Sequence, residues 1–154
     1  MAVLFIRKED DPILRKTSRE VTEITPRIQT LIDDMIETMH KANGCGLAAV
    51  QVGVLRRIVV IEVEEGETFV LINPEIVSKK GKQEENEGCL SLPGKWGVTR
   101  RPMTVTVRAT DRDGSLYELT GSGLLARAIC HETDHLDGKL FTDVMIREAS
   151  TDEE

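Results

Sequence analysis

The stretch "GLLARAICHETDHLDG" (residues 123–138) decides how the rest of the chain is read. It holds two of the chain's three histidines, four residues apart, with a glutamate beside the first. On a helix at about 100° per residue, His131 and His135 fall within roughly 40° of each other, in line with Leu124 and Ala128. Glu132 sits at the edge of that face, about 60° from His135. Leu125, Ile129 and Leu136 continue the apolar stripe, and Arg127, Thr133, Asp134 and Asp137 take the other side. Both imidazoles therefore project from the face that packs inward, and Gly138 stops the helix.

Two rings one turn apart can grip one metal ion, and the adjacent glutamate can shuttle a proton for a water that the metal activates. The alternative is a pair of core histidines satisfied by backbone carbonyls. Catalytic metal centres keep three protein ligands and one open position, so two histidines do not complete a site. Six residues beyond His135, where a metzincin carries its third histidine, stands Phe141. The downstream acids lie mostly in a charged tail. The remaining histidine, His40, ends a distant helix and reads as a cap residue. Cys130 adjoins His131 but points about 100° away, toward the polar side. Cys45 in "NGCGLAAVQVG" and Cys89 in "ENEGCLSLPG" can each reach the site from a loop, and spacing does not choose between them.

Outward from this helix, the chain reads as one α+β domain over 1–147, followed by an acidic tail at 148–154 expected to be disordered. Thr25 caps a long helix that Pro26 opens, with Ile28, Leu31, Ile32, Met35, Ile36 and Met39 at helical spacing. "RRIVVIEV", "TFVLINPEIV" and "MTVTVRATD" read as strands, and Asp113-Gly114 turns the last of them back into "SLYEL". Strands in the middle and helices at each end imply a largely antiparallel sheet, with the histidine-bearing helix packed among its strands.

The 154 residues carry a formal net charge of -7, which argues against broad contact with nucleic-acid phosphates. No run approaches the ~20 apolar residues that span a bilayer, so a membrane is not an expected partner. The opening apolar run is too short for a signal peptide, which leaves the cytoplasm as the expected compartment. Three cysteines without repeat spacing do not form a disulfide framework.

"GCGLAAVQ" (44–51), "EGCLSLP" (87–93) and "HETDH" (131–135) occur in this order and at separations that resemble the three signature motifs of the peptide deformylases. The resemblance runs from "DPILRKTSREVTEI" to "HLDGKLF". It implies an α+β fold and the removal of the formyl group from the N-terminal methionine of new polypeptides, releasing formate. It also implies that Cys89, His131 and His135 hold one divalent metal. Ferrous iron is the cellular ion it points to, and zinc, nickel or cobalt suit the same ligands. Glu132 becomes the proton shuttle, and Gln51 and the Leu90 N–H become oxyanion donors. Glu87 and Arg101 become a structural ion pair.

Gly44, Cys45 and Gly46 are then expected to wall the formyl site against larger acyl groups, and Leu124 and Ala128 to line the methionine pocket. The partners expected are N-formyl-methionyl nascent peptides, with a transient ribosome contact, and the chain is expected to be a monomer. Two positions depart from the pattern common in relatives: Cys130 stands where a glutamine is usual, and Val50 where proline is usual. No long C-terminal helix, which some members carry, is expected after "FTDVM". A zinc peptidase cutting internal bonds and a non-enzyme, either a structural metal site or a formyl-peptide-binding module, are the rival readings, and Glu132 with Gln51 argues against a structural site, since neither is needed to hold metal.

Overall fold

The structure, a computed structural model, describes residues 2–149. The first long element is α1 (Pro26–Lys41), where the Thr25 hydroxyl accepts from the Ile28 N–H and His40 and Lys41 occupy the last turn. Strands β1 (Gly46–Ala48), β2 (Ile58–Ile61), β3 (Phe69–Lys80), β4 (Gln83–Cys89), β5 (Leu92–Arg101), β6 (Thr104–Thr110) and β7 (Leu116–Ser122) follow. Then come α2 (Leu124–Leu136) and β8 (Met145–Glu148). Every named pairing is antiparallel. One sheet runs β1-β2-β3-β6-β7 and a smaller one β4-β5-β8. The fold is α+β, as the sequence pattern implies.

Strand β2 is buried along its whole length, which an antiparallel strand with one wet face would not be. Helices on both faces of the large sheet account for this. Ile58 and Val60 pack with Ile32, Met35 and Met39 of α1, whereas Val59 and Ile61 pack with Ile129 and Leu136 of α2. In β6 the expected alternation holds: Val105, Val107 and Ala109 face the core. Gly114 adopts φ +90 in the turn to β7, where the Gly114 N–H donates to the Asp111 carbonyl. Asn73, at φ 52, interrupts the β3 ladder between Ile72 and Glu75, and its amide exchanges hydrogen bonds with the Val21 backbone.

Helix α2 is enclosed on more than the one face its apolar stripe suggests. Its other side meets β4 and β5: Arg127 donates to Gln83, Glu87 bonds His131, and Arg101 pairs with Asp134. Cys130 consequently lies in the core with Ile129, 4% exposed, rather than on a polar side. At the C-terminal end Glu148, the first residue of the expected acidic tail, is the last residue of β8. Residues 150–154 of that tail lie outside the described residues.

Ile129 joins α2 to the large sheet and is fully buried. Ile129→Ala is expected to lower stability by about 2–5 kcal/mol, through lost transfer energy and the cavity left behind. Denaturant unfolding of the two proteins measures the difference.

Candidate active site

The hairpin β4–β5 brings Cys89 to α2. Cys89 is the last residue of β4, and its Sγ lies 3.3 Å from His135 Nε2. His135 Nε2 in turn lies 3.2 Å from His131 Nε2. The ligating atoms of all three residues fall within 4.8 Å of one another. Neither other cysteine joins them, and His40 bonds Glu62 at 2.8 Å instead.

The fit to a metal ion can be judged from this spacing. Two nitrogens at about 2.05 Å from a shared tetrahedral ion stand roughly 3.4 Å apart, and a thiolate at about 2.3 Å stands roughly 3.6 Å from each nitrogen. The observed separations approach both. Both His131 and His135 direct Nε2 toward the same point. His135 is fully buried, and its Nδ1 has no hydrogen-bond partner among the described residues. Burial and the neighbouring His131 hold the His135 pKa well below the usual histidine value, which keeps the ring neutral and free to ligate. Burial pushes the Cys45 and Cys130 thiols up, so both are poor ligands as they stand.

His131 is oriented from behind. Its Nδ1 bonds Glu87 Oε2 at 2.6 Å, which turns Nε2 toward the cluster. Glu87 accepts further from Arg101, at 3.1 and 2.7 Å, and from the Thr99 hydroxyl at 2.7 Å. Arg101 also donates to Asp134 at 2.8 Å. Burial works against the Glu87 charge, but the bonds from His131 and Arg101 prevail and hold its carboxyl at about 2. Burial likewise pulls His131 down, yet Glu132, Cys89 and Glu87 together raise it above the ordinary value.

Glu132 is 4% exposed, and its Oε1 has no partner among the described residues. Burial first, then the Glu87 and Asp134 carboxylates, push its pKa up to about 7, against His131 and Arg101. That is the range in which a carboxyl both takes and gives a proton at neutral pH. Gly46 makes room for it: a Cβ there would meet Glu132 Oε2 at 2.6 Å. Gly44 similarly leaves space for the Leu90 side chain, 2.7 Å from where its Cβ would stand. Both glycines serve close approach rather than positive φ, which falls on Asn43 instead.

Gln51 is buried beside the sulfur. Its Oε1 accepts from the Ala48 N–H at 2.9 Å, which fixes the amide plane. Its Nε2 then faces Ser91 Oγ at 3.0 Å and Cys89 Sγ at 3.6 Å. Sequence reasoning missed Ser91, Thr99 and Asp134; only their positions within or beside the motifs could have flagged them.

Gly44, Cys45, Gly46, Leu124 and Ala128 all line one cavity of about 450 Å³, together with Glu132 and His131. Strands β1 and β4, which carry parts of its wall, are each the terminal strand of their sheet. An extended peptide entering between them would find unpaired backbone on either side.

A buried carboxyl beside a Cys-His-His cluster, at the floor of a cavity edged by two free strands, defines a metal-dependent amide hydrolase. The comparisons with known proteins are specific. The sequence model of the family described as polypeptide deformylase matches residues 3–151. A peptide deformylase of Alkaliphilus metalliredigens is 57% identical over 148 residues, covering 96% of this chain and 100% of that protein. A crystal structure of a peptide deformylase from Legionella pneumophila superposes with a TM-score of 0.91 at 46% identity, covering 94% of this chain and 86% of that one. A peptide deformylase from Synechococcus elongatus in complex with actinonin gives 0.89 at 39% identity, covering 92% and 80%. The chain belongs to the polypeptide deformylase family, and its activity is removal of the formyl group from the N-terminal methionine of nascent polypeptides.

Glu87→Gln leaves every ligand atom in place but removes the charge behind His131. Metal affinity is expected to fall about 10- to 100-fold. Competition with a chelator measures it, and unchanged affinity would remove Glu87 from the support of the site.

Proposed function

We propose that Cys89, His131 and His135 hold one divalent metal, ferrous iron in the cell, and that zinc, nickel or cobalt can replace it in purified protein. The convergence of one sulfur and two imidazole nitrogens within 4.8 Å carries this reading. When bound, the ion supplies a Lewis acid that makes water a nucleophile near neutral pH. The chain's own residues do the rest.

Glu132 takes a proton from the attacking water and returns it to the amine that leaves. Its burial and raised pKa suit both halves of that exchange. Charge gathers on the formyl oxygen in the transition state. The Gln51 amide, its plane fixed by Ala48, and the Leu90 N–H at the tip of the β4–β5 hairpin are the donors for it. One such donor is worth about 3–4 kcal/mol of barrier. Glu87 keeps His131 in register and touches no reacting atom.

Gly44, Cys45 and Gly46 form the tight wall that admits a formyl group and excludes larger acyl groups. Leu124 and Ala128 line the place for the methionine side chain. Residues 1–147 act as a single catalytic domain. The chain acts as a monomer. The cytoplasm follows from the substrate, which arises where translation does, and a transient ribosome contact follows from the same origin. Among the described residues no helix is long and apolar enough to cross a membrane.

Release of formate from formyl-Met-Ala-Ser by anaerobically purified protein, with metal analysis alongside, tests the assignment. Formate in step with bound metal is expected, with no cleavage of an unformylated peptide; internal cleavage without formate would overturn it.

Glu132→Ala is expected to retain stoichiometric metal and lose nearly all turnover. Full activity in that variant refutes the shuttle role.

Cys89→Ala is expected to lose the metal, while Cys45→Ala and Cys130→Ala keep it. Equal metal loss in all three would contradict the ligand choice.

A further inference from the structure

We propose that His40 and Glu62 are positioning residues that clasp the wall of the formyl site and so set how large an acyl group the site admits. The proposal rests on the deformylase reading of the cavity and of that wall. Neither side chain lines the cavity. His40 is the one histidine outside the Cys-His-His cluster, and it stands in the last turn of α1, just before the wall begins. Glu62 directly follows β2, the strand that pairs with β1.

The wall is held at both ends. At its start the Asn43 N–H donates to the His40 carbonyl at 3.1 Å, and the Gly44 N–H to the Met39 carbonyl at 3.0 Å. At its end the Glu62 N–H donates to the Cys45 carbonyl at 2.8 Å, and Gly46 pairs with Ile61. The two anchors are themselves joined, because His40 Nε2 donates to Glu62 Oε1 at 2.8 Å. Hydrogen bonds therefore close a ring that runs through Asn43, Gly44 and Cys45. Asn43 needs such a frame, since its φ of 56 lies in the left-handed region.

Glu62 is the fixed point of the ring. Its carboxylate also accepts from the Thr68 hydroxyl and from the Gly66 N–H at 3.2 Å, which folds the loop 62–68 back on it. The bonds from Thr68, His40 and Gly66 hold its carboxyl at about 2, so it stays charged near neutral pH. What the wall touches makes its position matter. A Cβ on Gly46 would meet Glu132 Oε2 at 2.6 Å, so the wall and the proton shuttle are already in close contact. A wall free to move outward would give a larger acyl group room beside Glu132. A contact that served stability alone would leave the choice between acyl groups unchanged.

Hydrolysis of formyl-Met-Ala-Ser and of trifluoroacetyl-Met-Ala-Ser is compared on anaerobically purified holo-protein, each rate normalised to bound metal. The fluorines make the larger acyl carbon electrophilic enough for its hydrolysis to be followed. His40→Ala opens the ring at one half-exposed hydrogen bond. It is expected to lower the ratio of the two kcat/KM values, formyl over trifluoroacetyl, about two- to fivefold. Glu62→Ala, which also frees Thr68 and Gly66, is expected to lower it further. His40→Gln, whose side-chain amide can donate in place of Nε2, is expected to keep the ratio near that of the unaltered protein. A ratio unchanged in His40→Ala overturns the proposal, and so does trifluoroacetyl hydrolysis that neither alanine variant raises to detection. Hydrogen exchange gives a second readout. The Glu62 amide is expected to exchange about two- to fivefold faster in His40→Ala while the amides of α2 keep their rates. Equal acceleration throughout the chain marks a loss of stability alone and overturns the proposal. No formate from the unaltered protein would sink the deformylase reading instead, while the exchange still decides whether His40 and Glu62 clasp the wall.

Discussion

His131 and His135 aim their Nε2 atoms at one another across 3.2 Å, inside protein, with a cysteine sulfur as close to the second as the first is. Gathering two imidazoles and a thiol in a buried place carries a desolvation cost that polar partners must offset. The chain tolerates this because Glu87 grips the far nitrogen of His131, and because Glu87 is itself gripped by Arg101 and Thr99. The arrangement is one that could hold a cation. Much of the surrounding architecture follows from keeping it rigid and dry.

That requirement explains why α2 is wrapped on both sides. Its apolar stripe packs on the large sheet through Ile129 and Leu136. Its polar side is not left to water but met by β4 and β5, whose Glu87 and Arg101 bond His131 and Asp134. An isolated ion pair buried this deeply would gain little over apolar residues. Here each charge has several partners, and the same charges that satisfy one another also set the orientation of the His131 ring. The glycines belong to the same logic. Gly46 yields its side-chain volume to the Glu132 carboxylate, and Gly88 yields its own to Trp96.

The parts of the fold with simple periodicity were legible in the sequence. Helix α1 was readable from Thr25, Pro26 and its apolar spacing, and β6 from the alternation of Val105 and Val107. The hairpin β4–β5 was not. Glu84, Glu85 and Asn86 are all exposed in β4, and β5 begins with a proline and two glycines within six residues, so neither strand shows period two. Those strands exist because they pair with each other and lean on α2, which no local pattern announces. For that reason spacing alone could not choose Cys89 over Cys45, and the choice came from the resemblance of the three motifs. Ser91, Thr99 and Asp134 stayed hidden for a related cause. Each acts by holding another residue, and a serine or threonine in a strand carries no sign of what it will face.

The two departures from the motif pattern bear on the same network. Glutamine before the first histidine could hydrogen-bond near the site, and cysteine does so weakly. In this chain Cys130 packs with Ile129 in the core; its carbonyl accepts from the Thr133 hydroxyl, and its thiol makes no hydrogen bond among the described residues. The hydrogen bond that orients His131 comes from Glu87 on a different element altogether. Val50 is also fully buried, and the amide of its neighbour Gln51 is fixed by the Ala48 N–H rather than by Val50. Both substitutions therefore act on packing, where volume is what matters, and leave the groups that hold charge and protons to β4, β5 and α2.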